Sequence, residues 1–221
     1  MNDVGIYDRF IKRFLDIIFS VLLLLLLTIP FLLIAIWIKL GSEGPVVFKQ
    51  KRASKNLKPF VIYKFRSMSV GAPKYQATND MLDSGKYITS AGKIMRKLSI
   101  NELPQLVNVL KGEMSIVGPR PVILNEVDLL SEREKYNVNS CKPGITGWAQ
   151  VNGRDELRVK EKAAMDGYYV KNFGLLMDIK CLIMTLTAVL SMRGHREGCK
   201  NDEVIDFDEV RLAQLIEQLY V

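Results

Sequence analysis

Residues 17–38 read IIFSVLLLLLLTIPFLLIAIWI, and this stretch decides the architecture of the chain. All 22 of its side chains are uncharged. A helix of about 20 apolar residues crosses the hydrocarbon core of a bilayer, so the stretch is long enough to span a membrane. It is too long for the core of a signal peptide, and no small-residue cleavage site follows it. The sequence therefore predicts a membrane helix within residues 1–40 and a globular domain after it.

Basic residues lie on both sides of this stretch, namely Arg9, Lys12, Arg13 and Lys39. A spanning helix usually has more cations on one side, whereas a helix that enters and leaves by the same face can have cations on both. Pro30 removes a backbone hydrogen bond and kinks the helix, and the Thr28 hydroxyl can bind a carbonyl that the kink frees. From these residues alone, a kinked re-entrant helix and a straight spanning helix with a tolerated proline are equal alternatives.

Composition narrows the range of functions. The net charge of +7 predicts an anionic partner, which can be a nucleic acid, an acidic membrane surface or a phosphorylated substrate. The cysteines, Cys141, Cys181 and Cys199, are odd in number and form no C-x-x-C pair, so neither a disulfide framework nor a zinc site is indicated. The single histidine, His195, excludes a histidine-rich metal site. A reduced cytoplasmic domain fits these counts best.

Residues 49–66 carry seven lysines or arginines and no acidic residue. The end of this region, residues 60–66, has the composition of a β-strand, and period-two alternation places Lys64 and Arg66 on one face. Single-strand nucleic-acid binders also use basic residues with aromatic ones. Beside a membrane segment, anionic lipid or substrate phosphate is the simpler partner, so we expect no nucleic acid to bind.

The segment from Leu98 to Pro104 predicts the start of a helix. Ser99 and Glu102 have capping-box spacing, and Pro104 is tolerated in a first turn, where backbone N–H groups have no intrahelical partner. Asn101 and Glu102 would then lie at the positive end of a helix, which favours phosphate nearby.

After a short predicted strand at residues 114–117, Arg120 stands between Pro119 and Pro121. Proline restricts the backbone on either side, so the guanidinium extends from a stiff turn, and its planar fork suits bidentate contacts with phosphate. An ordinary proline-rich turn with a solvated arginine is the alternative.

Three later segments complete the pattern. Residues 141–154 are dense in turn residues, which implies close backbone packing. Residues 173–192 are apolar but interrupted by Asp178 and Lys180, which favours an interfacial or core helix over a span. The tail, residues 201–221, contains a short amphipathic helix of a kind that packs or oligomerises, so a homodimer is among the expected partners. The expected fold class is α/β (α+β), with a small sheet and interfacial helices.

Four motifs stand in one order: the kinked apolar stretch, YKFRSM at residues 63–68, NELPQL at 101–106 continuing to GPRP at 118–121, and KPGITGWAQVNGR at 142–154. Together they resemble the bacterial sugar transferases, also called monotopic phosphoglycosyl transferases or polyprenyl-phosphate hexose-1-phosphate transferases. Any one motif is weak, but the ordered set is highly specific. The short length of the chain resembles the minimal form of the family.

The resemblance implies a re-entrant helix that enters the inner leaflet of the bacterial inner membrane from the cytoplasm. It implies a cytoplasmic catalytic domain over residues 41–200, a UDP-sugar donor, Mg²⁺ and a polyprenyl (undecaprenyl) phosphate acceptor. The implied reaction transfers a sugar 1-phosphate to the acceptor, yields a polyprenyl-diphosphate-sugar and UMP, and initiates glycan assembly. In the implied mechanism an aspartate attacks the β-phosphoryl group, and polyprenyl phosphate then captures the phosphosugar from the enzyme.

Carried over by position, the resemblance implies that Glu102 is the second member of an acidic dyad and a magnesium ligand. It also implies that Arg96 and Arg120 bind phosphate and nucleotide. Pro119 and Pro121, which flank Arg120, are included among the substrate-binding residues. Lys64 and Arg66 are added as contacts to substrate phosphate because of their charge and shared face.

Asn101 occupies the position where the family usually has the nucleophilic aspartate. An amide oxygen is a far poorer nucleophile than a carboxylate, and a neutral side chain is not an anionic magnesium ligand. The sequence fits a natural variant with altered chemistry, an inactivating substitution, or a catalytically silent relative that still binds the donor at the membrane.

Overall fold

The computed structural model describes residue 5 and residues 7–73, 84–153 and 157–191. Its mixed α/β architecture, as predicted, combines helices with two small sheets. The strands are β1 (Val47–Ala53) and β2 (Pro59–Phe65), which pair antiparallel, and β3 (Ser115–Val117) and β4 (Gly144–Thr146), which pair parallel. The α-helices are α1 (Lys12–Leu26), α2 (Thr28–Gly41), α3 (Ser90–Lys97), α4 (Leu106–Lys111), α5 (Val127–Glu134), α6 (Trp148–Val151), α7 (Val159–Lys171) and α8 (Leu175–Ser191). The predicted C-terminal helix lies outside the described residues.

The N-terminal helices α1 and α2 are broken at Leu27 and bent by 62°. The Thr28 hydroxyl donates to the carbonyl of Leu24 at 2.8 Å, a bond that typically bends helices, so the predicted kink is confirmed. In the described part of the chain, no single helix has the length and apolar composition needed to cross a membrane. The bent pair Tyr7–Leu26 and Thr28–Gly41 meets that requirement jointly.

A buried carboxylate attaches the start of α1 to α8, the last helix among the described residues. Asp178 pairs with the ammonium of Lys12, and both side chains are 8% exposed. The hydroxyls of Tyr7 and Tyr169 each donate to Asp178 at 2.7 Å. A buried carboxylate requires such partners because its desolvation is costly, so the four side chains act as one connection between α1, α7 and α8.

A second set of bonds attaches α1 to the centre of the domain. Arg13 donates to the carbonyls of Val109 and Leu110, at 2.5 and 2.8 Å, which lie in the last turn of α4. Asp16 accepts from the backbone N–H of Ile116 at 2.9 Å, on β3. The last carbonyls of a helix lack intrahelical partners, so the Arg13 bonds also cap α4.

The far end of α2 is attached to the domain by Arg66, the residue after β2. Its guanidinium donates to the carbonyls of Ser42 and Glu43, the former at 2.7 Å, and to the Ser42 hydroxyl at 2.9 Å. Beside these bonds lies a core cluster of Ile38, Phe65, Ala91 and Met95. Both ends of the bent helix pair therefore contact the same domain.

The predicted capping box at Ser99 and Glu102 is wrong. Ser99 has φ 57° and ψ 13°, which is the left-handed region, and its side chain makes no capping bond. An N-cap residue needs extended backbone angles, which this conformation excludes. The segment Ile100–Gln105 instead forms a 3₁₀ helix that continues into α4 and accommodates Pro104.

Substituting Asp178→Asn should lower the free energy of unfolding by about 3–5 kcal/mol, because it leaves the Lys12 ammonium buried without its counter-charge. Thermal and denaturant unfolding of detergent-solubilised protein measures this. Asp8→Asn is the matched control, since Asp8 pairs with Lys55 at 3.6 Å on the surface and should cost less than about 1 kcal/mol. Equal losses in the two variants would contradict the assigned role of the buried pair.

Candidate active site

The carboxylate of Glu102 binds two cations that come from distant parts of the chain. Lys64, near the end of β2, donates to Oε1 of Glu102 at 2.9 Å. Arg120 donates to both carboxylate oxygens, to Oε1 at 3.0 Å and to Oε2 at 3.3 Å. The side chains of Lys64, Arg120 and Glu102 are 15%, 34% and 8% exposed, respectively. The group is therefore accessible from solvent yet largely desolvated. Two cations against one anion favour the binding of phosphate.

Asn108, in α4 directly after the 3₁₀ helix of Glu102, binds the backbone of the strand that carries Lys64. Its side chain accepts from the N–H of Tyr63 at 3.1 Å and donates to the carbonyl of Val61 at 2.7 Å, as a neighbouring strand would. The amide is fully buried, and β2 packs on the 3₁₀ helix beside it. No sequence pattern marked this role, because Asn108 lies within the helix predicted to begin near Leu98 and belongs to none of the quoted motifs.

Close backbone contact fixes the place of the turn at residues 118–121. Gly118 follows β3 and its N–H donates to the carbonyl of Thr146, in β4, at 2.8 Å. A Cβ on Gly118 would lie 2.5 Å from the carbonyl oxygen of Lys142, too close for any side chain. The predicted close backbone packing is therefore present at Lys142, Gly144 and Thr146, and it brings the last two sequence motifs together.

Donors from separate segments bind the carbonyls of the turn around Arg120. The carbonyl of Pro119 accepts from the N–H of Gly144 at 2.8 Å, and the carbonyl of Arg120 accepts from the Arg133 guanidinium at 3.0 Å. The carbonyl of Pro121 accepts from the Arg52 guanidinium at 3.3 Å, and that of Val122 accepts from the N–H of Ala53 at 2.9 Å. Both prolines are buried. Of the alternatives for Arg120, the structure therefore favours a fixed turn whose guanidinium meets Glu102 over an ordinary solvated turn.

The other predicted site residues are placed differently. Arg96 lies half-buried in the last turn of α3, a helix that packs against the 3₁₀ helix of Asn101 and Glu102. Arg66 binds the backbone at the end of α2, whereas Lys64 binds Glu102, so the two predicted phosphate contacts have different partners in the structure. The contact of Arg66 with substrate phosphate stays a prediction.

Asn101 is 9% exposed, and its Oδ1 has no hydrogen-bond partner. An unsatisfied buried acceptor costs about 1–3 kcal/mol, so it points to a partner that completes the site. Mg²⁺ in proteins is usually bound by one or two carboxylates together with substrate phosphates and water. The oxygens of Asn101 and Glu102 fit such a partial set. Among the described residues, no group of three or more His, Cys, Asp or Glu side chains is placed to hold a metal.

Burial and neighbouring charges lower the pKa values of Lys64 and Arg52. Burial lowers the pKa of Lys64 to about 8; Glu102 raises it, while Arg120 and Arg52 lower it further. Burial and the neighbouring Arg120 also lower the pKa of Arg52 to about 10. Lys64 is therefore near its titration point at neutral to mildly alkaline pH, and Arg52 remains charged.

Comparison with known proteins agrees with this arrangement. The profile of the family described as bacterial sugar transferase matches residues 7–192. The matched region includes both ends of the bent helix pair, the Lys64–Glu102–Arg120 group and the turn that carries Arg120. The chain belongs to the bacterial sugar transferase family.

Individual relatives agree with the family match. The chain is 39% identical over 187 residues to the sugar transferase EpsL of Bacillus subtilis, with 85% of this chain and 91% of EpsL covered. It is 40% identical over 194 residues to the UDP-N-acetylgalactosamine-undecaprenyl-phosphate N-acetylgalactosaminephosphotransferase of Aeromonas hydrophila, covering 85% of this chain and 45% of that protein. It is 37% identical over 202 residues to the undecaprenyl-phosphate galactose phosphotransferase of Salmonella typhimurium, covering 85% and 42%. The chain thus spans less than half the length of the last two.

We expect the affinity for UDP to fall as pH rises through about 8, the pKa of Lys64, because the deprotonated amine no longer attracts phosphate. One unit above the pKa, the dissociation constant should be about tenfold larger if only the protonated form binds. Isothermal titration across this pH range measures the effect. Lys64→Arg stays charged and should flatten the profile, whereas an unchanged profile in that variant would assign the titration to another group.

Proposed function

We propose that this protein transfers a sugar 1-phosphate from a UDP-sugar to undecaprenyl phosphate at the cytoplasmic face of the bacterial inner membrane. The observation that carries the proposal is the Glu102 carboxylate held by Lys64 and Arg120, at 2.9 and 3.0 Å, beside the buried oxygen of Asn101. The names of the Aeromonas and Salmonella relatives support undecaprenyl phosphate as acceptor. The reaction would initiate assembly of a bacterial glycan.

The two cations provide the binding energy for the donor diphosphate. In the unliganded protein they bind Glu102, and an entering diphosphate exchanges for that carboxylate as their partner. The guanidinium of Arg120 can bind two phosphate oxygens at once, and the ammonium of Lys64 supplies a compact charge. Because both side chains are partly removed from water, their attraction to the developing negative charge is stronger than in bulk solvent.

The transfer breaks the bond between the β-phosphorus and the oxygen that bridges the two phosphates. UMP leaves with that oxygen and its electron pair, and an attacking oxygen forms the new bond to phosphorus. Lys64 and Arg120 stabilise the charge on the phosphoryl oxygens during this exchange. The carboxylate of Glu102 and the side-chain Oδ1 of Asn101 would hold Mg²⁺. When bound, the ion would neutralise part of the charge of the diphosphate.

Two routes remain for the attacking oxygen. Of the Asn101–Glu102 pair, only Glu102 carries a carboxylate, so a covalent phosphosugar intermediate would form there. A covalent relay lets a water-soluble donor and a membrane-bound acceptor react in turn, without meeting. In the second route the acceptor phosphate attacks directly. The silent-protein alternative rests on Asn101 alone, and no contact in the site adds to it.

The membrane arrangement we propose is re-entrant. Arg13 and Asp16 attach the start of α1 to α4 and β3, and Arg66 attaches the end of α2 to β2. A helix pair whose two ends both contact one domain enters and leaves the membrane on the side of that domain. The exposed apolar residues around the bend then face lipid, for example Leu25 and Leu26 at 69% and 74% exposure.

Cysteine accessibility tests this topology in a chain whose own cysteines are first replaced. Gly5→Cys and Gly41→Cys suit the test, because a Cβ at either position meets no atom within 4 Å. A membrane-impermeant maleimide should label both in inside-out vesicles and neither in right-side-out vesicles. Leu26→Cys, at the bend, is the control that should stay unlabelled in both. Labelling of Gly5→Cys and Gly41→Cys from opposite sides would show a spanning helix instead.

The proposed reaction predicts UMP release from a UDP-sugar in a panel of donors, measured with and without undecaprenyl phosphate. Glu102→Gln should lower turnover about 100-fold or more, because it removes the only carboxylate of the pair. Asn101→Asp separates the routes. A large gain in UMP release, with a trapped phosphosugar-enzyme, would show that the amide limits the natural chain. Good turnover by the Asn101 protein with no gain would place the nucleophile elsewhere, and UMP release without acceptor would indicate the covalent route.

A further inference from the structure

Arg133 holds the backbone of the turn at residues 118–121 from one side. It lies near the end of α5 and is 5% exposed. Two of its nitrogens, Nε and Nη2, donate to the same carboxylate oxygen of Asp166, on α7, at 2.9 and 2.6 Å. The remaining nitrogen, Nη1, donates to the carbonyl of Arg120 at 3.0 Å. Since the guanidinium is planar and rigid, anchoring two nitrogens fixes the direction of the third.

Arg52 holds the next carbonyl in the same way. Its Nε and Nη2 donate to the side-chain oxygen of Gln50 at 3.1 and 2.7 Å, and its Nη1 donates to the carbonyl of Pro121 at 3.3 Å. Glu126 lies 3.5 Å from Nη1 and accepts from the N–H of Ile123 at 2.8 Å. Two arginines from different segments thus bind successive carbonyls, each with its remaining nitrogens bound elsewhere.

A small pocket adjoins the turn, lined by Ser54, Pro119, Arg120, Arg133 and Cys141, among others. The side chain of Arg120 is 34% exposed, so its own surroundings restrain it only partly. A displacement of about 1 Å in a substrate-binding group can reduce catalysis about 100-fold. The orientation of these two carbonyls therefore sets where the Arg120 guanidinium lies.

We propose that Arg133 and Arg52 are positioning residues for donor binding, which act on the diphosphate through the backbone of Arg120 and Pro121. The inference rests on the proposed function, because it takes Arg120 to be a ligand of the donor. It adds two residues that the sequence motifs do not mark as part of the site. Asp166 and Gln50 contribute to the same positioning, because they anchor the guanidinium planes of Arg133 and Arg52.

A double-mutant cycle on UDP affinity tests the proposal. Arg133→Lys and Arg52→Lys keep the charge but lose the planar fork, and each should weaken UDP binding in the presence of Mg²⁺ by about tenfold. In an Arg120→Ala background the same substitutions should change the dissociation constant less than about twofold, because the group they position is gone. Arg13→Lys is the matched control, since Arg13 also donates to two main-chain carbonyls but at the end of α4. It should leave UDP affinity unchanged.

Amide hydrogen exchange measures how firmly the turn is held, and it needs no ligand. The N–H groups of Gly144 and Ala53 bind the carbonyls of Pro119 and Val122, on either side of the positioned pair. Arg133→Lys and Arg52→Lys should speed exchange at both amides about tenfold, and Arg13→Lys should not. Should Arg133→Lys fail to fold because its pair with Asp166 is buried, Arg52→Lys decides alone.

Two outcomes would overturn the proposal. One is an equal loss of UDP affinity with and without the Arg120 side chain, which would show that the arginines do not act through it. The other is unchanged exchange at Gly144 and Ala53 in folded variants. An unsubstituted protein that binds no UDP would count against the proposed function instead, and the exchange data would still decide whether the two arginines fix the turn.

Discussion

The burial of the Glu102 carboxylate is the constraint on which the rest of the site depends. A carboxylate that is 8% exposed must be compensated by opposite charge and hydrogen bonds, or it would be protonated or the segment would unfold. Lys64 and Arg120 provide this compensation, and each reaches Glu102 only because its own segment is fixed elsewhere. Asn108 fixes β2, and the close contact of Gly118 with the Lys142–Gly144 backbone fixes the turn of Arg120. A ligand that replaces Glu102 as partner of the two cations meets side chains whose segments are already held in place.

The elements that build this site also hold the bent helix pair. Asp16 binds the strand that leads into the Arg120 turn, and Arg13 binds the end of the helix that follows Glu102. Arg66, two residues after Lys64, binds the other end of the pair. The bent helix pair and the Lys64–Glu102–Arg120 group are therefore held by the same elements of the domain. This sharing explains why polar side chains within or beside an apolar segment are buried against the domain.

Sequence reasoning succeeded where a local property determines structure. The kink follows from Pro30 and the Thr28 hydroxyl, since both act within one helical turn, and the stiff presentation of Arg120 follows from its flanking prolines. It was incomplete at the ends of elements. Strand alternation paired Arg66 with Lys64, but it did not indicate that the Arg66 side chain binds the end of α2. Ser99 was assigned by capping-box spacing, but its left-handed backbone excludes a cap and begins a 3₁₀ helix.

By itself, the sequence determined the apolar segment and its break, the mixed fold class and the family, because these depend on composition, on local backbone chemistry and on ordered motifs. It also singled out Lys64, Glu102 and Arg120, which the structure brings together. Only the tertiary structure decided that Asn108 supports β2, that Arg52 and Arg133 bind successive carbonyls of one turn, and that Arg66 binds the end of α2. These roles depend on contacts between residues far apart in the chain. A hydrogen bond between distant segments leaves no periodicity in the sequence, and the partner of a buried arginine is set by the packing of whole elements rather than by its neighbours.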